Sequence, residues 1–555
     1  MKSAFLCGVL LTASAVPAAN PGQPCPGENG TPSQVITGSF DTSVEGAYVM
    51  VPFEVPVDQT RVRVKLCHDQ PPSPTSSQIK HTLDLGVYDA STDAFHDANE
   101  FRGWGGSSRP NVLLTPEEAT VGFNAGAIPA GEWAAEIGVA AVAGPEEGDP
   151  DGSVGWRLEV FYASEPSDTD QPWSPAPYDT APANDEARWY KGDFHVHAEH
   201  SSPKDASMRE TFDYAFGPRP SAAGLDFITL SDYVGTRQWD EIGRFQADYP
   251  GKLIIRSAEV ITYRGHINNH ASATYVDHRA GPVYELRSGQ LRQVRAETGA
   301  QPILDGIHTG GGFTQVNHPT TFPSWIPFFS NLCRGCSYDY SDAETDWSKG
   351  DAMEVQTGPS GTPGPEGHEL GPNPFTPLAI QWWDELRAAG HRITAVGSSD
   401  SHHAGKTNGP TQSPIGEATT VVYAEELSES GIQAAIEAGH AYLKFFSSDG
   451  PDLRFQASPL DKPGNGRGRG PRAIMGDRLK ANEATFEVKV LGAAPNPEPR
   501  TLVVLRDGAP YLTIPVTNGD FTFTFTASNP GDYRLQLQRG SAIEALTNPI
   551  TLVPR

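Results

Sequence analysis

Asp193-Phe194-His195-Val196-His197 is the stretch on which the reading of this chain turns. It continues the apolar run Trp189-Tyr190, and on a strand residues two apart share a face. His195 and His197 therefore point the same way and can grip one metal ion. Alone, such a pair is ordinarily two surface histidines. Here it has company: thirteen of the 16 histidines fall within 188–449 and none follows His440. Ser231-Asp232-Tyr233 directly follows the apolar run Phe227-Ile228-Thr229-Leu230. Glu259 ends a strand, and His266 and His270 follow it across a predicted hairpin turn at Tyr263-Arg264-Gly265. Asn317-His318-Pro319 and Gly397-Ser398-Ser399-Asp400-Ser401-His402-His403 each come after a further apolar strand. Histidine and carboxylate clusters at successive strand ends predict a metal centre rather than a set of satisfied core histidines.

Working outward, residues 188–449 alternate short apolar runs (Leu253-Ile254-Ile255, Ile393-Thr394-Ala395-Val396) with helix-like stretches at Pro377 to Ala389 and Ser430 to Ala438. That alternation, over this length, is the pattern of an α/β barrel. Residues 20–162 read as β structure instead: Arg61-Val62-Arg63-Val64-Lys65-Leu66, Leu83 to Tyr88 and Trp156 to Phe161 alternate polar and apolar as half-buried strands do. Residues 163–187, rich in Pro, Asp and Ser, read as a linker. After a connecting loop at 450–479, residues 480–555 return to period two in Phe486 to Val490, Phe521 to Phe525 and Tyr533 to Leu537, with Asp507-Gly508 as a tight turn. The predicted class is multidomain α/β plus all-β, a barrel flanked by N- and C-terminal β-sandwich domains.

With 555 residues the chain exceeds one hydrophobic core. Gly (57) and Pro (49) are abundant enough to favour turn-rich β structure over helical bundles. A formal net charge of −27 repels phosphate backbones and anionic lipid, which argues against a nucleic-acid coating protein or a peripheral membrane binder. Residues 1–19 read as an export signal: Lys2, the apolar run Ala4 to Val16, and a small-residue cleavage site at Val16-Pro17-Ala18. No run is long enough to span a bilayer, so the mature chain is expected in the periplasm or outside the cell. Of five cysteines, Cys7 lies in the signal; the remaining four predict the disulfides Cys25–Cys67 and Cys333–Cys336. The basic Gly/Arg stretch at 464–472 lacks interleaved aromatics and reads as a loop.

HVH, Glu259, NHP and DSH, in this order, resemble the PHP (polymerase and histidinol phosphatase) superfamily of metal-dependent hydrolases. The finer resemblance is to its CehA/McbA branch, named after a carbaryl hydrolase. It is carried by Trp189 to His195, Thr262-Tyr263-Arg264-Gly265-His266, Trp382-Trp383-Asp384 with Ala395 to Asp400, Phe101 to Ser107 through Gly131-Glu132-Trp133, and Leu546-Thr547-Asn548-Pro549-Ile550. The resemblance implies a distorted (β/α)7 barrel with up to three metals at the C-terminal strand ends. It implies a first metal on His195, His197, Glu259 and Asp400, and a second that shares Glu259 and adds His318 and His266, with His270 as the alternative. At the third family position only His402 matches; Ser202, with His200 and Asp205 nearby, and Tyr233 stand where the family has ligands. The expected cofactors are two divalent transition-metal ions (Zn, Mn or Fe), or three if that position is filled.

Two divalent ions about 3.5–4 Å apart can bridge a hydroxide, present it as a nucleophile near neutral pH and neutralise charge on a phosphoryl or carbonyl oxygen. No Gly-x-Ser-x-Gly elbow offers a serine alternative. His402 or His403 is the candidate general acid, Tyr233 a candidate for orienting substrate, and Asp400 both ligand and catalytic residue. The stretch Gly306 to Gly312 reads as a glycine-rich loop, in which His308 is a candidate to line the pocket. The expected function is an exported phosphoester hydrolase, and from that chemistry the expected partner is a small-molecule substrate. The alternatives are a carbamate, ester or amide hydrolase, and a metal-binding pseudoenzyme whose β domains bind a partner.

Overall fold

A computed structural model describes residues 21–27, 30–71, 80–91, 98–164, 172–326, 329, 333–358, 373–406, 413–460, 472–493, 498–516 and 519–555. The export signal and nearly all of the Gly/Arg stretch lie outside these residues. The protein is mostly β, in several sheets, with few helices. Among the described residues, no helix is long and apolar enough to cross a membrane.

Nine strands of a 15-stranded sheet carry the site. They are β1 (Arg188–Val196), β2 (Phe227–Leu230), β3 (Leu253–Thr262), β4 (Gly265–His270), β5 (Phe313–Val316), β6 (Ala352–Thr357), β7 (Thr394–Ser398), β8 (Thr419–Ala424) and β9 (Ala441–Lys444). Their order is β7-β6-β5-β4-β3-β2-β1-β8-β9. β1, β2 and β3 run parallel, as do β5, β6 and β7, while β4 returns antiparallel between β3 and β5. Most of these strands are buried along their whole length, as strands covered on both faces must be. β8 pairs only with the first half of β1, from Arg188 to Gly192. The second half is left free for the segment leaving β7: Asp400 N donates to His195 O at 2.9 Å, and His197 N donates to Ser401 O at 2.9 Å. The sheet thus curls until the exits of β7 and β1 meet. Gly192 permits the packing just before the metal motif, because a Cβ there would stand 2.1 Å from the Phe227 ring.

Helices cover this sheet where the sequence predicts them, at Thr376–Ala388 and Glu429–Ala438, the second capped by Ser428 and closed by Gly439 at φ +79. One expectation is overturned. Gly306 to Thr309 belong to a helix, Gln301–Thr309, and only Gly310 to Gly312 turn after it. His308, in its last turn, pairs with Asp351 at 2.9 Å and does not line the site. Gly306 misled because glycine is tolerated inside a helix when, as here, its bare face packs close against Val276.

The outer sheets are tied to the central one more closely than a string of separate domains. In the N-terminal region, one sheet contains Gln34–Asp41, Ser153–Ala163, Arg61–His68 and Asn111–Leu114, and a second contains Tyr48–Val55, Gly131–Ala141, Thr82–Tyr88 and Phe101–Trp104. The second sheet is extended by a hairpin from the central region, Val283–Arg287 and Gln290–Arg295, which pairs with Tyr48 to Met50. At the other end, Ala542–Thr547 pairs with β9, so the C-terminal sheet continues the central one. Asn548 clasps both: its Nδ2 donates to Ala395 O (3.0 Å) and Ala441 O (2.9 Å), and its Oδ1 accepts from Ala395 N (2.9 Å). Where the sequence predicts a connecting loop at 450–479, Asp452–Pro459 forms a strand paired along its length with Ala484–Leu491. The described part of the expected linker is irregular but laid onto the body. Tyr178 donates to Ile254 O at 2.9 Å, and the Arg237 guanidinium sits 3.8 Å over the Trp173 ring. The Asp507-Gly508 turn takes positive φ at both residues (51° and 76°), as a two-residue hairpin loop of this hand requires.

Both expected disulfides are present, Cys25–Cys67 and Cys333–Cys336. The first is buried and pins the N-terminal segment, with Cys25 N donating to Glu159 Oε1 (3.1 Å) and Lys65 Nζ to Pro26 O (2.6 Å). Its sequence separation is 42, for which chain entropy gives about 4 kcal/mol. A Cys25→Ser/Cys67→Ser variant is expected to lower the melting temperature of the N-terminal sheets in calorimetry and to leave metal content unchanged.

Candidate metal centre

All the residues of the first two expected sites converge at the C-terminal ends of β1, β3, β5 and β7, with His266 added from β4. Glu259 is the hub. Its carboxylate lies 3.1 Å from His266 Nδ1, 3.3 Å from His318 Nε2, 3.5 Å from His195 Nε2 and 3.7 Å from His197 Nε2. Asp400 Oδ1 completes the ring at 3.0 Å from His197 Nε2 and 3.4 Å from His195 Nε2. Two of these groups sit on strained backbone: His318 has φ 28° and Asp400 φ 52°, a region that side-chain-bearing residues rarely occupy. Val234, next to Tyr233, is a third at φ 50°, and its branched side chain makes that conformation still less favourable.

Each imidazole is aimed by a partner on its far nitrogen. Glu354, fully buried on β6, lies 3.2 Å from His195 Nδ1 and accepts from His318 N at 3.0 Å. Ser201 Oγ stands 2.9 Å from His197 Nδ1 and itself donates to Asp232 Oδ1 at 2.6 Å. The carbonyl of Cys336 lies 2.8 Å from His318 Nδ1, and that of Arg334 3.2 Å from His266 Nε2. Asn317 Nδ2 donates to Glu259 Oε1 at 3.0 Å. Such outer partners fix tautomer and ring orientation at metal sites. Asp193 ties the two ligand-bearing strands together, accepting from His195 N (3.2 Å), Ser399 N (3.0 Å) and Gly416 N (3.0 Å); burial pushes its carboxyl up to about 6. From the N-terminal sheet, buried Arg109 donates to the carbonyls of Glu199, His200 and Ser201 and so holds the loop that follows His197.

The donor set fits divalent cations. Among the described residues, the ion-pair partners of Glu259, Asp400 and Glu354 are all histidines, so no Lys or Arg offsets these buried charges. Burial opposes a charge on His195, yet Asp400, Glu259 and Glu354 outweigh it and hold its pKa well above the usual imidazole range; His318 is likewise lifted to about 9. Glu259 and Asp400 are held well below theirs, burial being overcome by the neighbouring imidazoles. His195 Nε2 is fully buried and makes no hydrogen bond. A ring nitrogen without a hydrogen bond, set between two ionised carboxylates, suits the role of a cation ligand. One ligand atom from each of His195, His197 and Glu259 lies within 4.8 Å of the others, and the same holds for His197, Asp400 and His402.

His266 and His270, the alternatives left open, differ in their position along β4. Both point to one face, but His266 is opposite Ile261 beside Glu259, whereas His270 is opposite Ser257, four residues deeper. His270 lies between the Phe194 and Phe313 rings and hydrogen-bonds Ser257 and Gln315, a core histidine that burial keeps neutral with its pKa lowered to about 3.

At the third expected position, His402 stacks on His197 with ring centroids 4.2 Å apart. Asp205 grips its Nδ1 at 2.9 Å, and Tyr233 OH stands 3.3 Å from its Nε2. Ser202 instead accepts from Lys204 N, and His200 faces Glu241 at 3.6 Å, so neither joins the cluster. Burial, then Glu259 and Asp205, hold the Tyr233 phenol protonated, and a neutral phenol is a poor metal ligand beside imidazole. His403 makes no contact with the ligand ring among the interactions of the described residues. The residues that local sequence does not mark as functional are Glu354 and Arg109, neither of which belongs to a histidine motif, and Asp205 as the partner of His402.

No family model matches the chain, and no curated protein matches it. A solved structure is similar: a two-domain protein from Bacteroides vulgatus containing a predicted PHP-like metal-dependent phosphoesterase. It is 15% identical, the match covers 69% of this chain and 99% of that one, and the TM-score is 0.34. A likeness that distant carries neither fold nor function from one protein to the other.

Proposed function

We propose that this chain is a metal-dependent hydrolase of the PHP type acting on phosphoester bonds, and that it is exported. The observation that carries the reading is Glu259, one buried carboxylate within 3.1–3.7 Å of four imidazoles, among them His195 Nε2, which is buried and makes no hydrogen bond. On this reading the curled central sheet is the distorted barrel and the outer sheets are its flanking sandwiches. His195, His197, Glu259 and Asp400 would hold one ion, and Glu259, His266 and His318 a second. Divalent ions supply Lewis acidity at a substrate oxygen and acidify a bound water. The rest belongs to the chain. Glu354 and Ser201 hold His195 and His197 in one tautomer. Asp205 accepts the Nδ1 proton of His402, whose pKa it lifts to about 9 against burial, so that Nε2–H is presented beside Tyr233 as the proton source for a leaving group. The two disulfides accord with an oxidising compartment.

A carbamate, ester or amide substrate is the second reading; Trp104, from the N-terminal sheet, meets the Tyr233 ring edge-on at 6.4 Å at the rim of a buried aromatic cluster. Nitrophenyl phosphate, its diester and an aryl carbamate, assayed side by side on metal-reconstituted protein, decide between the two. The phosphoester reading requires metal-dependent turnover that is fastest on a phosphoester. Faster carbamate cleavage overturns the bond type, and metal bound without any turnover returns the pseudoenzyme. Tyr233→Phe is expected to keep its metal, measured by mass spectrometry, while turnover falls by roughly 10²–10³, as for loss of one hydrogen bond to a transition-state oxygen.

A further inference from the structure

The Cys333–Cys336 disulfide closes a four-residue loop directly over the second half of the centre. Two of its carbonyls hold the imidazoles there, Arg334 O at 3.2 Å from His266 Nε2 and Cys336 O at 2.8 Å from His318 Nδ1. Gly335, at φ +79, allows the close approach: a Cβ would stand 2.1 Å from Thr262 O and 3.1 Å from His266 Nε2. Cys336 Sγ and one ring nitrogen from each of His266 and His318 lie within 4.8 Å of one another. Ligand atoms around a tetrahedral zinc sit about 3.4–3.6 Å apart, so a small inward shift gathers all three on one ion. In the disulfide the sulfur has no charge to offer; the thiolate is the ligand form.

We propose that reduction of Cys333–Cys336 turns Cys336 into a ligand, creating a redox-gated site of His266, His318 and the Cys336 thiolate beside Glu259; this rests on the metal-centre reading above. A dithiol reductant supplies the two electrons and two protons. Its own sulfurs join as a disulfide, Cys333 and Cys336 are released as thiols, and the Cys336 proton leaves as the sulfur binds the cation. Oxidised, the position offers imidazole and carboxylate only; reduced, it gains a soft ligand that selects for zinc or cobalt over manganese. Both cysteines are half-buried, within reach of a small dithiol.

The test loads cobalt(II) anaerobically into oxidised wild type, wild type reduced with dithiothreitol and desalted, Cys333→Ser and Cys336→Ser. It reads cobalt per chain together with the near-ultraviolet sulfur-to-cobalt charge-transfer absorption. The band should appear in reduced wild type and, with no reductant, in Cys333→Ser. It should be lost in oxidised wild type and in Cys336→Ser. Cobalt bound by reduced wild type without the band, while thiol titration shows Cys333 and Cys336 free, overturns the redox site and leaves the metal centre standing. A band that persists in Cys336→Ser also overturns it. No cobalt bound in any form overturns both readings.

Discussion

Glu259→Gln and Asp400→Asn are each expected to abolish turnover and to weaken metal binding by more than about 10²-fold, with the outer β sheets still folded. Partners outside the ligand set typically cost 10–100-fold when removed, and a direct ligand that carries charge must cost at least the upper end. Both carboxylates are ionised against burial because imidazoles surround them. A neutral amide keeps the shape but neither offsets a dication nor donates a second lone-pair oxygen. The two substitutions separate by position. Glu259 touches all four histidines, so its loss should empty both metal positions, whereas Asp400 pairs with His195, His197 and His402 and acts on His318 only through its charge, so its loss should weaken the His266–His318 side less. Metal per chain by mass spectrometry, read beside circular dichroism, checks both; a variant with full metal and full activity removes that residue from the site.

Asp193→Ala should be the most damaging change that removes no ligand. It strips the acceptor from three buried backbone N–H groups, those of His195, Ser399 and Gly416, and each unpaired group costs about 1–3 kcal/mol. A loss of at least about 3 kcal/mol in denaturant unfolding is expected, together with weaker metal binding, because the same carboxylate sets β1 against the segment that carries Asp400. Asp193→Asn should fall between: its amide oxygen can serve the two groups now on Oδ1, while its NH₂ meets Gly416 N–H head on. If Asp193→Ala unfolds like wild type, the clamp between the two ligand-bearing strands is not what holds the centre.

Much of the centre is legible in the chain because metal chemistry is written in short local patterns. His195 and His197 declare themselves by a spacing of two on a strand, and His318 and Asp400 by standing at strand exits; Glu259, expected to end its strand, lies three residues inside it, because the hairpin with β4 prolongs β3 to Thr262. What is not legible depends on distance. Glu354 sits mid-strand like any buried polar residue, and its partner His195 is 159 residues away. His266 and His270 share a face by periodicity, and only the depth at which β3 pairs with β4 separates the histidine beside Glu259 from the one in the core. Arg109 lies in a different sheet and acts on carbonyls, which leave no trace in side-chain identity. In the outer regions, Leu453, Phe455 and Ala457 alternate as a strand should, but the neighbouring Gly, Pro and Arg residues hide the element until Ala484–Leu491 pairs with it. Gly306 shows the reverse error, a residue type that signals a loop lying inside a helix.

The most direct test of the central claim is a count of metal. Wild-type protein stripped with chelator, titrated with zinc or manganese and dialysed free of excess, should retain two divalent ions per chain by mass spectrometry. Retention of none would contradict the account, since the buried carboxylates of Glu259 and Asp400 would then be balanced by protonated histidines alone.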